Sequence, residues 1–311
     1  VNKRHELLSL VLICAVTLIT ATHRFGYEGY PDSQKYVTMI NIILGRESGV
    51  FIPTPFIFRI LAPLLAAPFA LIFSPFVALS IISTISCMGL AVTTFKISML
   101  FTEEEIVGLG VTLATVLTVP YFRYGGVPLV DPLAMFICAL IIYHTLIDRD
   151  VKTITLLMVL GVLCKELVLF AGLFVLLYRR NVLPFATGAV VTFVLREMLG
   201  GISQPLVFHL PYEWTMLHTL NTLGWVLILA PSIIHAWNRN YIVEPSLKLF
   251  LILTLSFMPY YLLGVFNAYF GARFTWPLQF AFIGICSVGS TSVYRGLRAI
   301  LVPRVMRSQP A

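Results

Sequence analysis

Residues 154–178 read ITLLMVLGVLCKELVLFAGLFVLLY, an apolar run broken by charge only at Lys165 and Glu166. One helix through the whole run would reach the ~20 residues needed to cross a bilayer, but it would carry two charges near its centre. Each costs at least ~2.5 kcal/mol to bury there on insertion scales. Two short helices meeting at Lys165 would instead open both charges to an aqueous cavity, the setting in which non-helical backbone is tolerated at membrane depth. How this stretch folds therefore decides how the rest of the chain is threaded.

The surrounding composition fits a membrane. Of 311 residues, 59% are hydrophobic and 11% charged, against roughly 25% charged in an ordinary soluble domain. Apolar runs recur near 7–22, 57–73, 75–98, 106–120, 132–147, 182–198, 222–237, 248–266 and 276–293. They lack the alternation of a membrane barrel, and such apolar content excludes a disordered chain. The expectation is an all-α, polytopic transmembrane helical bundle with about 9–10 membrane helices, some short or broken. It forms a single domain over 1–311, with a first external loop at 23–56 and a basic cytoplasmic tail at 294–311. Residues 7–21 follow Lys3 and Arg4 without a convincing small-residue cleavage site, and are read as the first span rather than a signal peptide. The net charge of +7 is scattered over loops and tail, which excludes a nucleic-acid face and points to a multi-pass protein sorted by the positive-inside rule.

Two threadings compete. The first leaves 57–73, which carries Arg59, Pro63 and Pro68, outside the set of spans and breaks 154–178 at Lys165. The second makes both runs full spans, which moves Lys96, Arg149 and Lys152 outside. The first keeps more basic residues in the cytoplasm and is preferred; both put the two termini there. Under it the long first loop, the segment 121–131, the Lys165–Glu166 break and the segments 199–221 and 267–275 share the external face. Within the first loop SQKYVTMINIILG (33–45) spaces its apolar residues as a surface helix would, so a helix lying along the interface is expected.

That face collects ionisable residues. Asp32, in YPDSQKY, and Asp131, in VDPLAMF, each stand beside a proline at a helix start, where a helix-capping role is the plain reading. Capping does not exclude chemistry. Arg59, Arg123, Lys165 and Arg273 are the external cations near spans. Snorkelling explains any one of them, but four beside several carboxylates suit an anionic phosphate, gripped by arginine forks and a lysine point charge. Glu166 completes the set. The five cysteines lie within apolar runs and read as small buried hydrophobes. The six histidines show no metal-ligand spacing, and His209 and His218 read as loop histidines. No P-loop, GxSxG or dinucleotide fingerprint occurs, so a nucleotide or serine-hydrolase site has no support.

Taken in order, several segments resemble the GT-C superfamily of integral membrane glycosyltransferases. They are the first loop with Asp32 and Tyr36, FRILAPLLA (58–66), VDPLAMFICALIIY (130–143), GVLCKELVLF (161–170) and ARFTWPLQFAF (272–282). The resemblance covers most of the chain; each motif is weak alone, and their order carries the likeness. It implies a polyprenyl-phosphate-linked sugar donor, a glycan, lipid or protein acceptor, a site facing the lipid bilayer's outer surface, and transfer with inversion. It also implies Asp32 and Asp131 as catalytic carboxylates, and Tyr36, Arg59, Arg123, Lys165, Glu166 and Arg273 as substrate-binding residues. The first loop holds a single Asp32 where better-known members pair acids, so the resemblance fixes no cofactor and leaves a divalent cation open. A transporter or flippase of a lipid-linked or small polar substrate is the alternative, because such proteins also use broken helices at charged sites.

Overall fold

Why the helices differ so much in length follows from where prolines, glycines and charges interrupt the apolar runs. The computed structural model describes residues 3–199, 214–239, 241, 244–265 and 272–301. It is 79% helical with no strand among those residues. In chain order the helices are α1 (Lys3–Thr22), α2 (Pro31–Ile43), α3 (Leu61–Ala66), α4 (Pro75–Met99), α5 (Glu105–Val116), α6 (Val119–Tyr124) and α7 (Asp131–Leu146). They continue as α8 (Val151–Val162), α9 (Val168–Arg179), α10 (Leu183–Met198), α11 (Trp214–Asn238), α12 (Glu244–Val265), α13 (Ala272–Thr275) and α14 (Gln279–Leu301).

Four of these, α1, α4, α11 and α12, are long and apolar enough to cross a membrane. Their outward faces are apolar, with Ile19 71% and Ile228 79% exposed, and the shorter α10 continues that surface through Phe193 at 65%. An apolar exterior this extensive marks contact with something other than water. It is the exterior of a membrane protein.

The stretch 154–178 is a hairpin. α8 and α9 are 12 residues each, about 18 Å at 1.5 Å per residue, and the chain turns between them over Leu163–Leu167. Close approaches pair Gly161 with Val168 and Gly172 with Met158, so the two arms run antiparallel. Arg179 at the end of α9 donates to the carbonyls of His144, Thr145 and Arg149, which lie at the end of α7 and the start of α8. At the other end Lys165 meets Asp131, the first residue of α7. The tip is thus level with the start of α7 and both feet are level with its end.

The same sorting runs through the bundle. At the tip end Gly126 packs on Ala21, Ser83 donates to Leu129, and Gln279 donates to Thr118 and to the Thr222 carbonyl. At the foot end Ser9 donates to Glu105, Thr291 to Thr102, Arg295 pairs with Glu103 and Glu104, and Lys248 lies over Tyr178. The starts of α1, α5, α8 and α12 therefore share one end of the molecule with the last turns of α4, α7, α9 and α14.

Residues 57–73 do not form a long helix. Two 3-10 turns, Phe56–Phe58 and Phe69–Leu71, flank the six-residue α3, about 9 Å long. Proline spacing explains this, since Pro63 and Pro68 each remove a backbone donor. Leu61 N–H instead donates to the Leu163 carbonyl at the hairpin tip. The expected surface helix is α2, whose buried face (Tyr36, Val37, Met39, Ile40) packs on α3 and α4. The run 106–120 divides at Leu117 and Thr118, between α5 and α6. Of the expected basic tail, α14 takes residues through Leu301, and Arg295 pairs with Glu103 and Glu104 just before α5.

Candidate functional site

Beside the hairpin tip lies a cavity of about 1080 Å³ walled by α2, the Pro53–Arg59 segment, α6, the tip, α9 and α12. Asp32, Lys35, Arg59, Arg123, Lys165 and Glu166 line it, so one part of its wall is strongly polar. Leu169, Phe170, Leu173, Phe185, Tyr260, Leu263 and Phe274 make the rest apolar and aromatic. Tyr260 and Phe274 stack with ring centroids 5.0 Å apart, and Phe170 packs 5.7 Å from Tyr260.

The charges are arranged in pairs across distant parts of the chain. Lys165 Nζ lies 2.5 Å from Asp131 Oδ1, with side chains only 7% and 5% exposed. Arg59 grips Glu166 Oε2 through Nε at 3.1 Å and Nη2 at 2.9 Å, a two-pronged charge-assisted contact. Its Nη1 donates to the Tyr36 hydroxyl at 3.3 Å. Burial pushes the Tyr36 phenol up to about 12, so it keeps its proton while accepting from Arg59. Lys35 sits 3.6 Å from Asp32, one turn back on α2, and 3.8 Å above the Phe56 ring. The two adjacent charges of the tip thus point to different partners: Lys165 to α7, Glu166 to the segment before α3.

Both helix-start acids differ from simple caps. The N-cap of α2 is Tyr30, and Asp32 lies inside the first turn after Pro31. The N-cap of α7 is Val130, and Asp131 is the first helical residue. Neither cap residue makes a side-chain cap bond. In α2 proline takes the first helical position, where its missing N–H is not needed, and this places Asp32 inside the helix; in α7 Pro132 is the second helical residue and Asp131 itself opens the helix. There each acid still gains from the positive helix end.

Of the residues expected from sequence, Asp32, Arg59, Arg123, Lys165 and Glu166 meet at the cavity, and Tyr36 stands directly behind Arg59. Asp131 is not among the lining residues; it stands behind Lys165 as its buried counter-ion. Arg273 belongs to α13, next to cavity-lining Phe274, but its side chain lies outside the described residues, as do His209, Glu213 and the His218 side chain. Sequence reading missed Lys35 and Tyr30. The spacing signal was present for Lys35, three residues after Asp32 on the same helical face. Among the described residues no group of three or more His, Cys, Asp or Glu side chains could hold a metal ion.

Comparisons with protein-family models, with curated proteins and with solved structures find no match to this chain.

Proposed function

We propose that the chain is a multi-pass membrane glycosyltransferase of the GT-C type, moving a sugar from a polyprenyl-phosphate donor to a glycan, lipid or protein acceptor with inversion. The four long helices cross the bilayer, the α8–α9 hairpin enters it from the cytoplasmic side without passing through, both termini are cytoplasmic, and the cavity faces outward. The single observation that carries this reading is the division of one cavity wall into a charged part and an aromatic, apolar part. A ligand complementary to it is anionic at one end and greasy at the other, which describes a lipid phosphate.

The chemistry follows from the charges present. An acceptor hydroxyl attacks the anomeric carbon from the face opposite the lipid phosphate. The bond between that carbon and the phosphate oxygen breaks, and its electron pair leaves with the polyprenyl phosphate. Asp32, the carboxylate lining the cavity on α2, takes the hydroxyl proton as general base, which requires hydrogen-bond reach to the acceptor oxygen. Arg59 and Lys165 hold the departing phosphate and stabilise its growing charge. Glu166 and Asp131 fix those cations in place, and Tyr36 orients the Arg59 guanidinium. A cation held this way needs no reorganisation when charge develops.

The decisive experiment incubates the purified chain with labelled polyprenyl-phosphate sugars and a panel of acceptors, and measures release of polyprenyl phosphate. Release that depends on acceptor and is lost in Asp32→Asn supports the proposal. No release with any donor counts against it. A second reading draws on the contact between two discontinuous segments, Leu61 on the Leu163 carbonyl at the hairpin tip, because transporters place such breaks at their binding sites. In that case a lipid-linked sugar would cross liposomes intact, and the same labelled donors would report it.

A further inference from the structure

The cations around the cavity fall into two classes. Lys35, Arg59 and Lys165 each face a carboxylate, Asp32, Glu166 and Asp131 respectively. Arg123 lines the same cavity and, among the described residues, meets none; the same is true of Arg24, which stands beside it. The link between these two is Tyr30. Arg24 Nη1 donates to the Tyr30 hydroxyl at 3.3 Å, and that hydroxyl donates to the Arg123 backbone carbonyl at 3.3 Å. Each guanidinium also lies against an aromatic face, Arg24 at 5.5 Å from the Tyr27 centroid and Arg123 at 5.9 Å from that of Tyr124.

Both guanidinia reach the Tyr30 side chain, and the neighbouring pairs show that this chain supplies carboxylates elsewhere around the cavity. A guanidinium stacked on a ring has its face occupied, and its fork of N–H donors lies at the edge, where it suits a bidentate oxyanion. Tyr30 and Tyr124 both line the cavity, and their rings stand 6.2 Å apart. The arginines therefore mark the rim of the cavity rather than a remote surface.

We propose that Arg24 and Arg123, joined through Tyr30, form a second oxyanion site at the cavity rim that binds a phosphate ester distinct from the departing lipid phosphate. Two sources share that chemistry: a phosphorylated acceptor and a bilayer headgroup. The inference rests on the glycosyltransferase reading for the acceptor source, and on the arginine geometry for the phosphate itself.

Calorimetry on the full chain in neutral detergent tests it with glucose 6-phosphate and short-chain phosphatidylglycerol as probes. Glucose and short-chain diacylglycerol serve as the uncharged matches. At least one phosphate probe should bind ten times more tightly or better than its match. Arg24→Gln and Arg123→Gln should each weaken it by tenfold or more, with binding of the match unchanged. Arg46→Gln, at a guanidinium bound to the Ala70 carbonyl away from the rim, should leave binding within twofold. Tyr30→Phe, a smaller perturbation should either arginine variant misfold, should weaken it about threefold. A response confined to the sugar phosphate assigns the acceptor, and one confined to the phospholipid assigns the headgroup. Absence of binding by both phosphate probes, or equal binding by both Gln variants, overturns the rim site. Release of polyprenyl phosphate is read separately, so a chain that transfers no sugar but shows this pattern loses the transferase reading and keeps the site.

Discussion

Replacing Lys165 by Met removes a buried charge while nearly keeping the side chain's length, and leaves the Asp131 carboxylate 5% exposed with its cation gone. Breaking a buried pair from one side costs about 3–5 kcal/mol, because the remaining ion loses its counter-charge where little water reaches it. At ~1.4 kcal/mol per factor of ten, that lowers the folding equilibrium by about two to four orders of magnitude. Asp131→Leu alone should cost a similar amount by removing the ammonium's counter-ion. The double variant Asp131→Leu/Lys165→Met exchanges two charges for two apolar side chains, and should come within ~1 kcal/mol of the parent. Equilibrium unfolding in mixed micelles, followed by tryptophan fluorescence, gives the three free energies and their coupling. If the double variant costs the sum of the two single ones, or if either single one costs less than ~1 kcal/mol, the pair does not brace the tip. Turnover separates its second role. A double variant that is stable but at least tenfold slower assigns Lys165 to the departing phosphate, and unchanged turnover removes that assignment.

Asp32→Asn and Asp32→Ser should each lower turnover by ~10²-fold or more, while Asp32→Glu keeps a little activity, since the group must accept a proton at hydrogen-bond reach. Turnover within twofold of the parent for Asp32→Asn, in normally inserted protein, would eliminate it as base. Arg59→Lys keeps the charge but loses the fork on Glu166 and the donor to Tyr36, and should cost about tenfold in turnover; full activity would mean that a point charge suffices. For topology, single cysteines at Glu28 and Lys152 in a cysteine-free background should react differently with an impermeant reagent, Glu28→Cys from outside and Lys152→Cys only after permeabilisation. The opposite pattern would reverse the bundle. Gly126 is unsuited to this test, because a Cβ there would lie 2.0 Å from the Ala21 carbonyl oxygen.

Much of the fold could be read from the chain because charge is so rare in it. A Lys–Glu pair in an apolar run left a break as the cheaper solution, and the structure has its hairpin turn at that point. Proline spacing similarly marked 57–73 as unable to form a long helix. What remained hidden was partnership. Glu166 follows Lys165 directly, yet its partner is Arg59, 107 residues away. Neither periodicity nor composition carries a pairing of that separation, which depends on how the segment before α3 docks on the tip. The acids beside Pro31 and Pro132 looked like caps because Asp commonly fills that position, but α2 starts at Pro31, ahead of Asp32, and α7 starts one residue before Pro132, at Asp131. The pairing of Arg24 with Arg123 through Tyr30 was equally hidden, since each alone reads as an interfacial arginine.

The short arms of the hairpin also set a depth. On the transferase reading the feet lie at the cytoplasmic surface, and the tip, level with the start of the 16-residue α7, stands about 24 Å from them, short of the far side of a hydrocarbon core ~30 Å thick. The charged tip would then sit about 6 Å beneath the opposite headgroups, at the floor of a vestibule rather than at the membrane's edge. On that reading an acceptor would descend into the vestibule, whereas a lipid-borne phosphate would have to dip below its normal level or find the leaflet thinned around the protein. Bilayer thickness would then become a variable of the proposed reaction: lipids with longer acyl chains would lengthen the descent, and thinner membranes would bring the two reactants to a common level.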